Sequence, residues 1–281
     1  MVKIMVDSAT DISKAEAEEL GITMVPMLIT IDGEDYYDGV DLTPTAFYEK
    51  LIESSALPKT SLINAFRWET EYENALGKDD ELVVITISSK LSGTYQSAVE
   101  ASETFAGKVR VVDSLNAAVG ERLLCLYALR LAKQGLSAGE IVELLEEKKK
   151  KIKLIALVGT LEYLKKGGRI SSAVAFAGEL LSLKPVVGIV DGEVKLLGKA
   201  MGSRKGNNLL NKLVQETDGI DFSMPLGTVW SGLSTQLLDK YIQDSAMLWQ
   251  GYTDELPRYQ IGATIGTHVG PGAVGVAFFE K

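Results

Sequence analysis

Glu81-Leu-Val-Val-Ile-Thr-Ile87, followed at once by Ser88-Ser-Lys-Leu-Ser-Gly-Thr94, is the stretch on which the fold turns. A short unbroken apolar run, rich in β-branched residues and closed by hydroxyl and glycine residues, reads as a buried strand running into a loop. Helical spacing then continues to about Phe105. The same strand, loop and helix occur upstream, where Lys3-Ile-Met-Val-Asp7 leads into Asp7-Ser-Ala-Thr-Asp11 and a helix through Leu20. Asp11 is the expected N-cap of that helix and Gly21 its C-cap. Downstream, Val109-Arg-Val-Val-Asp113 is a third strand, Asn116 to Gln134 a long apolar helix, and Ser137-Ala-Gly-Glu140 a capping box opening another. Strands alternating with helices predict a parallel sheet with helices on both faces.

Between these units, Ile22–Ile31 and Tyr36-Tyr37 flank Asp32-Gly33 as a hairpin, and Thr43-Pro44 starts a helix. Asn64 is the expected N-cap of a further helix over Ala65–Leu76. The second half has a different rhythm. Lys153–Val158 is a strand, and Pro185–Val190 and Glu193–Leu197 form a hairpin about Asp191-Gly192. Helices are expected over 172–182, Ser203–Glu216 and 234–248, with strands over 224–230, 258–265 and 274–279. The chain therefore reads as an α/β protein of two domains. The first, 1–155, is a three-layer α/β/α unit with a mainly parallel sheet; the second, 156–281, is a two-layer α/β unit with a mixed sheet.

With 281 residues, 46% of them hydrophobic, the chain is long enough for one large or two medium cores. A net charge of -9 argues against a nucleic-acid binder, which would present a basic face. The densest basic run, Lys148–Lys151, closes a helix, where cations suit the macrodipole. Cys125 is the only cysteine and sits in an apolar helical run, so no disulfide forms within the chain and a core role is expected. No apolar run reaches membrane-spanning length, and the first residues read as a strand and not a signal peptide. These readings predict a cytoplasmic protein without stable membrane insertion.

Three loops fall at the carboxyl ends of the predicted parallel strands, where such sheets place ligands. Ser92-Gly93-Thr94 opens a helix, so amides, hydroxyls and the positive end of the helix dipole face one point, which favours an anion; Ser92 as a simple cap is the alternative. Thr60 and Ser61 are adjacent donors left free if Asn64 is the cap. Arg169, behind Gly167-Gly168, offers a guanidinium to a carboxylate or phosphate, or is a surface arginine after a glycine cap. Thr264-Ile-Gly-Thr-His-Val-Gly-Pro-Gly-Ala-Val-Gly275 holds the only histidine, His268, in a glycine-rich stretch whose backbone can approach a ligand closely. Read as a loop, it forms one wall of an anion pocket; a hairpin turn is the bland alternative.

Most enzyme templates fail. Gly270-x-Gly272-x-x-Gly275 spells the dinucleotide fingerprint, but only six strand-like residues follow it, not a helix. Gly135-Leu-Ser-Ala-Gly139 has the letters of a Gly-x-Ser-x-Gly elbow but follows the helix over Asn116–Gln134 and not a strand, and there is no phosphate-binding loop ending in Gly-Lys-Ser/Thr. One histidine excludes paired-histidine metal motifs. Asp7, Asp11 and Asp113 are acidic loop residues that serve as caps or, alternatively, hold a divalent ion. No metal or cofactor is expected. A Ser92–His268 hydrolase pair or a small-ketone kinase-like enzyme remains the alternative to a binding protein.

Taken together, Val6–Asp11, Thr60-Ser61, Ser88–Tyr95, Val112–Ser114, Leu161–Ile170, Lys184-Pro185 and Gly266–Gly272 resemble, in order and spacing and over essentially the whole chain, the DegV family. This is the bacterial family of fatty-acid-binding proteins that includes the binding subunit of fatty acid kinase. The resemblance implies two α/β domains that clamp a long-chain fatty acid, such as palmitate, between them. It implies that Thr60, Ser61, Ser92 and the Gly93 amide hold the carboxylate, with His268 close by and Arg169 at the mouth, helping the carboxylate or docking the kinase. It also implies that the chain is not itself an enzyme: a separate ATP-dependent kinase subunit would phosphorylate the presented carboxylate to an acyl phosphate for phospholipid metabolism. The chain departs from the family where Leu62-Ile63-Asn64 replaces the usual Gln-Pro-Ser, losing a proline and gaining apolar bulk.

Overall fold

The structure is a computed structural model that describes residues 1–171, 183–253 and 255–281. The helix expected over 172–182 lies outside the described residues. The apolar runs of the first half form β1 (Val2–Asp7), β2 (Thr23–Val25), β6 (Glu81–Thr86) and β7 (Val109–Asp113), paired in parallel in the order β2-β1-β6-β7. Ile4–Asp7 and Leu82–Thr86 are buried without interruption, as strands covered on both faces must be. The cover is supplied by α3 (Ala65–Ala75) with α4 (Thr94–Ser102), and by α5 (Ala118–Lys133) with α6 (Ala138–Lys148). Helix α1 (Lys14–Leu20) links β1 to β2 and ends at Gly21, whose φ of 72° is the expected left-handed cap. Cys125 is fully buried in α5, as its apolar setting predicts.

The cap of α1 corrects one expectation. Ser13, not Asp11, accepts the Glu16 amide and caps this helix; Asp11 sits in the left-handed region at φ 58°. A second correction concerns Ile22–Ile31, which is two strands and not one. Pro26 has no N–H to continue the ladder, so β2 stops at Val25 and β3 (Leu28–Ile31) joins another sheet. That sheet is antiparallel, in the order β4-β3-β5, with β4 at Glu34–Tyr37 and β5 at Lys59–Ser61. Phe47, Tyr48 and Leu51 of α2 (Pro44–Glu53) pack on Ile29 and Ile31 beneath it. The function of this small sheet is positional: β5 carries Thr60 and Ser61.

The second half forms a six-stranded sheet in the order β10-β9-β8-β13-β11-β12. Its strands are β8 (Ile152–Leu157), β9 (Leu183–Val190), β10 (Glu193–Met201), β11 (Leu226–Trp230), β12 (Arg258–Gln260) and β13 (Val274–Phe279). All pairs are antiparallel except β11 with β12, so the sheet is mixed as expected. Asp191 and Gly192 turn the β9–β10 hairpin with φ of 52° and 81°, the two left-handed residues a tight hairpin needs. Strand β8 belongs wholly to this sheet, so its first residues precede position 156.

Against one face of this sheet lie α8 (Gly202–Gln215), α9 (Gln236–Asp244) and the short α10 (Ala246–Trp249), which bury Leu210, Val214, Leu238 and Tyr241 against Val186 and Val276. The helix expected over 234–248 breaks at Ser245, whose hydroxyl donates to the Tyr241 carbonyl at 2.6 Å. The other face meets α5 of the first half, where Tyr127 packs edge-on against Phe279 at 5.9 Å. The two main sheets are thus joined through one continuous core, with α5 between them.

The largest correction lies at 258–265. The strand stops at Gln260, and Ala263–Val269 is a helix, α11, with Gly270 at its C-cap. Thr, Ile, Val and Gly are poor helix formers, so local propensity favours extended chain there. Tertiary contacts reverse it: Asp11 Oδ1 accepts the Gly262 amide at 2.8 Å, and Asp38 accepts the Ala263 and Thr264 amides at 3.0 and 3.1 Å. The first turn of α11 is capped by carboxylates from the other half of the chain. Short α7 (Glu162–Lys166) packs beside it.

Candidate functional site

A cavity of about 260 Å³ opens where β5, the loop after β6, the start of α5, α11 and the inner face of the six-stranded sheet converge. Thr60, Ser61, Ser92, Gly93, Arg169 and His268 all line it. Sequence positions more than two hundred residues apart are thereby brought to one place. The rest of the wall is apolar, with Leu154, Ala156, Val187, Val229, Ile265 and Ala273 as its main surfaces.

Each polar residue arrives on a different support. Thr60 projects from β5, and its hydroxyl meets His268 Nε2 at 3.0 Å. Gly93 is the N-cap of α4, with no side chain to occupy the space in front of the first amides of that helix. Those amides have no intrahelical acceptor, so they leave partial positive charge at the cavity wall. Ser92 Oγ accepts the Thr94 amide at 3.2 Å and lies 2.9 Å from Thr94 Oγ1. It therefore braces the first turn of α4 and also lines the cavity. Arg169 is held by Nε donating to the Leu91 carbonyl at 3.2 Å and by Nη1 donating to the Gly167 carbonyl. It is a cavity residue.

His268 occupies the last turn of α11. Burial, with Arg169 adding repulsion, pulls its imidazole down to about 4, so it is neutral at pH 7. Its Nδ1 is buried and without a hydrogen-bond partner among the described residues. Two glycines let neighbouring backbone come this close. A Cβ on Gly167 would fall 2.2 Å from His268 Nδ1, and one on Gly270, at φ 71°, would fall 2.3 Å from the Tyr163 ring. The stretch 264–275 is therefore helix to Val269, then a turn into the start of β13, and His268 reaches the cavity from the helical part.

Ser92 and His268 line the same cavity without pairing: the histidine is bonded to Thr60 and the serine to Thr94. No carboxylate orients His268 Nδ1 among the described residues. A nucleophile with its base and an orienting acid is not assembled here. Asp113 is separate from Asp7 and Asp11, accepting the Ser89 and Leu115 amides at 3.1 and 3.0 Å. Among the described residues no group of three or more His, Cys, Asp or Glu side chains is arranged to hold a metal ion. The three aspartates act as caps and turn formers.

Sequence reasoning passed over several residues of the wall. Leu62 lines the cavity while remaining half exposed, and its side chain covers the space above Gly93, where a Cβ would lie 3.0 Å from Leu62 Cδ2. Ile63 is buried and Asn64 caps α3 by accepting the Arg67 amide at 2.9 Å, so the segment that departs from the family pattern is locally well anchored. Thr264 and Ile265 belong to the stretch read as a pocket wall, but as loop or strand end and not as the helix they form. Met27 follows Pro26 and enters the wall from the link between two sheets.

Residues 1–281 match the model of the DegV family of uncharacterised proteins. A DegV domain-containing protein of Caldanaerobacter subterraneus is 34% identical, with 100% of this chain and 99% of that protein covered. Among solved structures, a DegV family protein from Thermus thermophilus described by its fatty acid binding superposes with a TM-score of 0.88 at 32% identity, covering 100% of this chain and 99% of that one. A stearic-acid-binding protein from Eubacterium ventriosum gives a TM-score of 0.86 at 26% identity, with 100% and 99% covered.

Proposed function

The chain belongs to the DegV family, and on that premise we propose that it binds one long-chain fatty acid in the cavity between its two halves. The observation that carries this reading is the division of the cavity wall. Hydroxyls, a helix N-terminus, an arginine and a neutral histidine gather together, and apolar side chains make up the remainder. In this reading Thr60, Ser61, Ser92 and the Gly93 amide hold the carboxylate, with His268 donating to it and Arg169 balancing its charge. A buried carboxylate stranded without such partners costs several kcal/mol, on the order of 2–7 for a polar group and more for an ion. Each acyl methylene removed from water adds about 0.8 kcal/mol, so the apolar wall supplies most of the affinity and the donors set orientation.

The same reading divides the chain into units 1–155 and 156–281 with the lipid between them. It makes the chain a carrier that presents its carboxylate to a separate ATP-dependent fatty acid kinase, which forms the acyl phosphate. The lack of a nucleotide-binding motif in this chain, and the bonding of His268 to Thr60 and of Ser92 to Thr94 in place of each other, support a carrier over a hydrolase. Binding of labelled palmitate and oleate to delipidated protein tests the reading, together with turnover assays on acyl esters and on ATP. Saturable binding with no turnover by the chain alone is the expected result. Absence of binding, or ester hydrolysis abolished by His268→Ala, would overturn it.

A further inference from the structure

The loop Asp7–Asp11 takes no part in the cavity wall, yet it sits at the centre of the molecule. Asp7, Asp38 and Glu121 are buried and Asp11 is partly buried, with Arg122 the cation among them, donating to the Asp11 carbonyl at 3.0 Å and to Glu16. Asp7 is occupied by the Ala9 and Ile87 amides at 2.8 Å each. Asp11 and Asp38 point elsewhere. Between them they accept the amides of Gly262, Ala263 and Thr264, the cap and first two residues of α11. Ser8 Oγ adds a contact to Thr264 Oγ1 at 3.4 Å, and the Gly262 Cα is so tightly held that a Cβ there would lie 3.2 Å from both carboxylates.

Helix α11 is the element that brings Thr264, Ile265 and His268 to the cavity, and its own sequence is a poor helix former. We propose that Asp38, assisted by Asp11, is the positioning residue of the ligand site: by fixing the first turn of α11 from the opposite half of the chain, it sets where His268 stands. Two charge-assisted bonds from one carboxylate to successive amides determine both the axial position and the rotation of a helix. The contact is also a latch between the halves, since Asp38 lies next to the small sheet that carries Thr60. Movement of α11 relative to that sheet changes the 3.0 Å contact between Thr60 and His268 directly. The proposal rests on the fatty-acid reading for its effect on affinity, and not for its effect on His268.

Because His268 is the only histidine, its imidazole gives a single set of NMR signals. Those signals and the affinity for palmitate are to be measured in wild type, in Asp38→Asn, and in Ser137→Ala, which weakens the remote capping box of α6. Asp38→Asn keeps one acceptor oxygen and the side-chain volume. It is expected to weaken palmitate binding about tenfold or more and to shift the His268 signals of ligand-free protein, whereas Ser137→Ala leaves both unchanged. Folded Asp38→Asn with affinity within about twofold of wild type and unmoved His268 signals would overturn the proposal. If Asp38→Asn does not fold, Asp11→Ala, which removes the side-chain acceptor of the Gly262 amide, is judged by the same two readings. Should wild type itself fail to bind palmitate, the fatty-acid reading falls, and the His268 signals still decide this inference.

Discussion

His268 is where the account is most exposed to test. Burial and the nearby Arg169 hold its imidazole at about 4. A carboxylate bound within hydrogen-bond reach favours the charged form, so the pKa of His268 should rise when fatty acid is added. An NMR titration of the single imidazole checks the direction; an unchanged titration in saturated protein would place the carboxylate elsewhere. On the proposed site, Thr60→Val and Ser92→Ala should each remove a donor to the carboxylate, a loss of about 1.5–3 kcal/mol, or roughly tenfold or more in affinity, read by palmitate titration. These residues were legible in the sequence because hydroxyls and glycine at a strand end before a helix have a direct physical meaning. Leu62 was not, since an apolar residue beside two donors carries no sign that it covers Gly93.

At the level of elements, the parallel strands and their helices were readable because continuous apolar runs and capping residues are local signals. Helix α11 was not, because what makes it a helix is Asp11 and Asp38, more than two hundred residues away. The same distance hid the true role of Asp11, which caps a helix that its own neighbourhood does not contain. The split of Ile22–Ile31 into two sheets was signalled by Pro26, a residue that interrupts a ladder. Gly270→Ala tests the tight turn after α11: it forces φ 71° on a residue with a Cβ and drives that atom into the Tyr163 ring. A loss above about 1 kcal/mol is expected from denaturant unfolding, with reduced palmitate affinity in the folded fraction.

The buried carboxyl groups at this centre also give the molecule a pH dependence. Burial lifts Asp7 to about 7 and raises Asp11, Asp38 and Glu121 as well. A carboxyl whose folded pKa lies above its unfolded value contributes stability that is fully present below about pH 4 and lost as the pH rises through about 7. For Asp7 the change is on the order of a few kcal/mol. Urea midpoints should therefore fall between pH 5 and pH 8, and the fall should be shallower in Asp7→Asn. Equal slopes in the two proteins would show that Asp7 is already ionised in the fold.

On the scale of the whole molecule, the cavity lies where β5 of the small sheet, the loop after β6, the start of α5 and α11 meet the inner face of the mixed sheet. Pattern alone gave both sheet types, but not the third sheet that delivers Thr60, nor the packing that brings Thr60, Ser61, Ser92, Gly93, Arg169 and His268 to one cavity. That convergence depends on packing between distant segments, which no local window encodes. Filling the apolar wall separates binding from folding. Ala156→Phe places a ring in the cavity and should reduce fatty-acid affinity by more than about tenfold, for a stability cost of about 1–3 kcal/mol. Among the described residues no helix is long and apolar enough to cross a membrane.

Native mass spectrometry of the purified protein tests the central claim most directly. The account predicts a mass excess equal to one long-chain fatty acid, lost on delipidation and restored by palmitate or oleate. Protein that shows no excess as purified, and none after incubation with either acid, would contradict it.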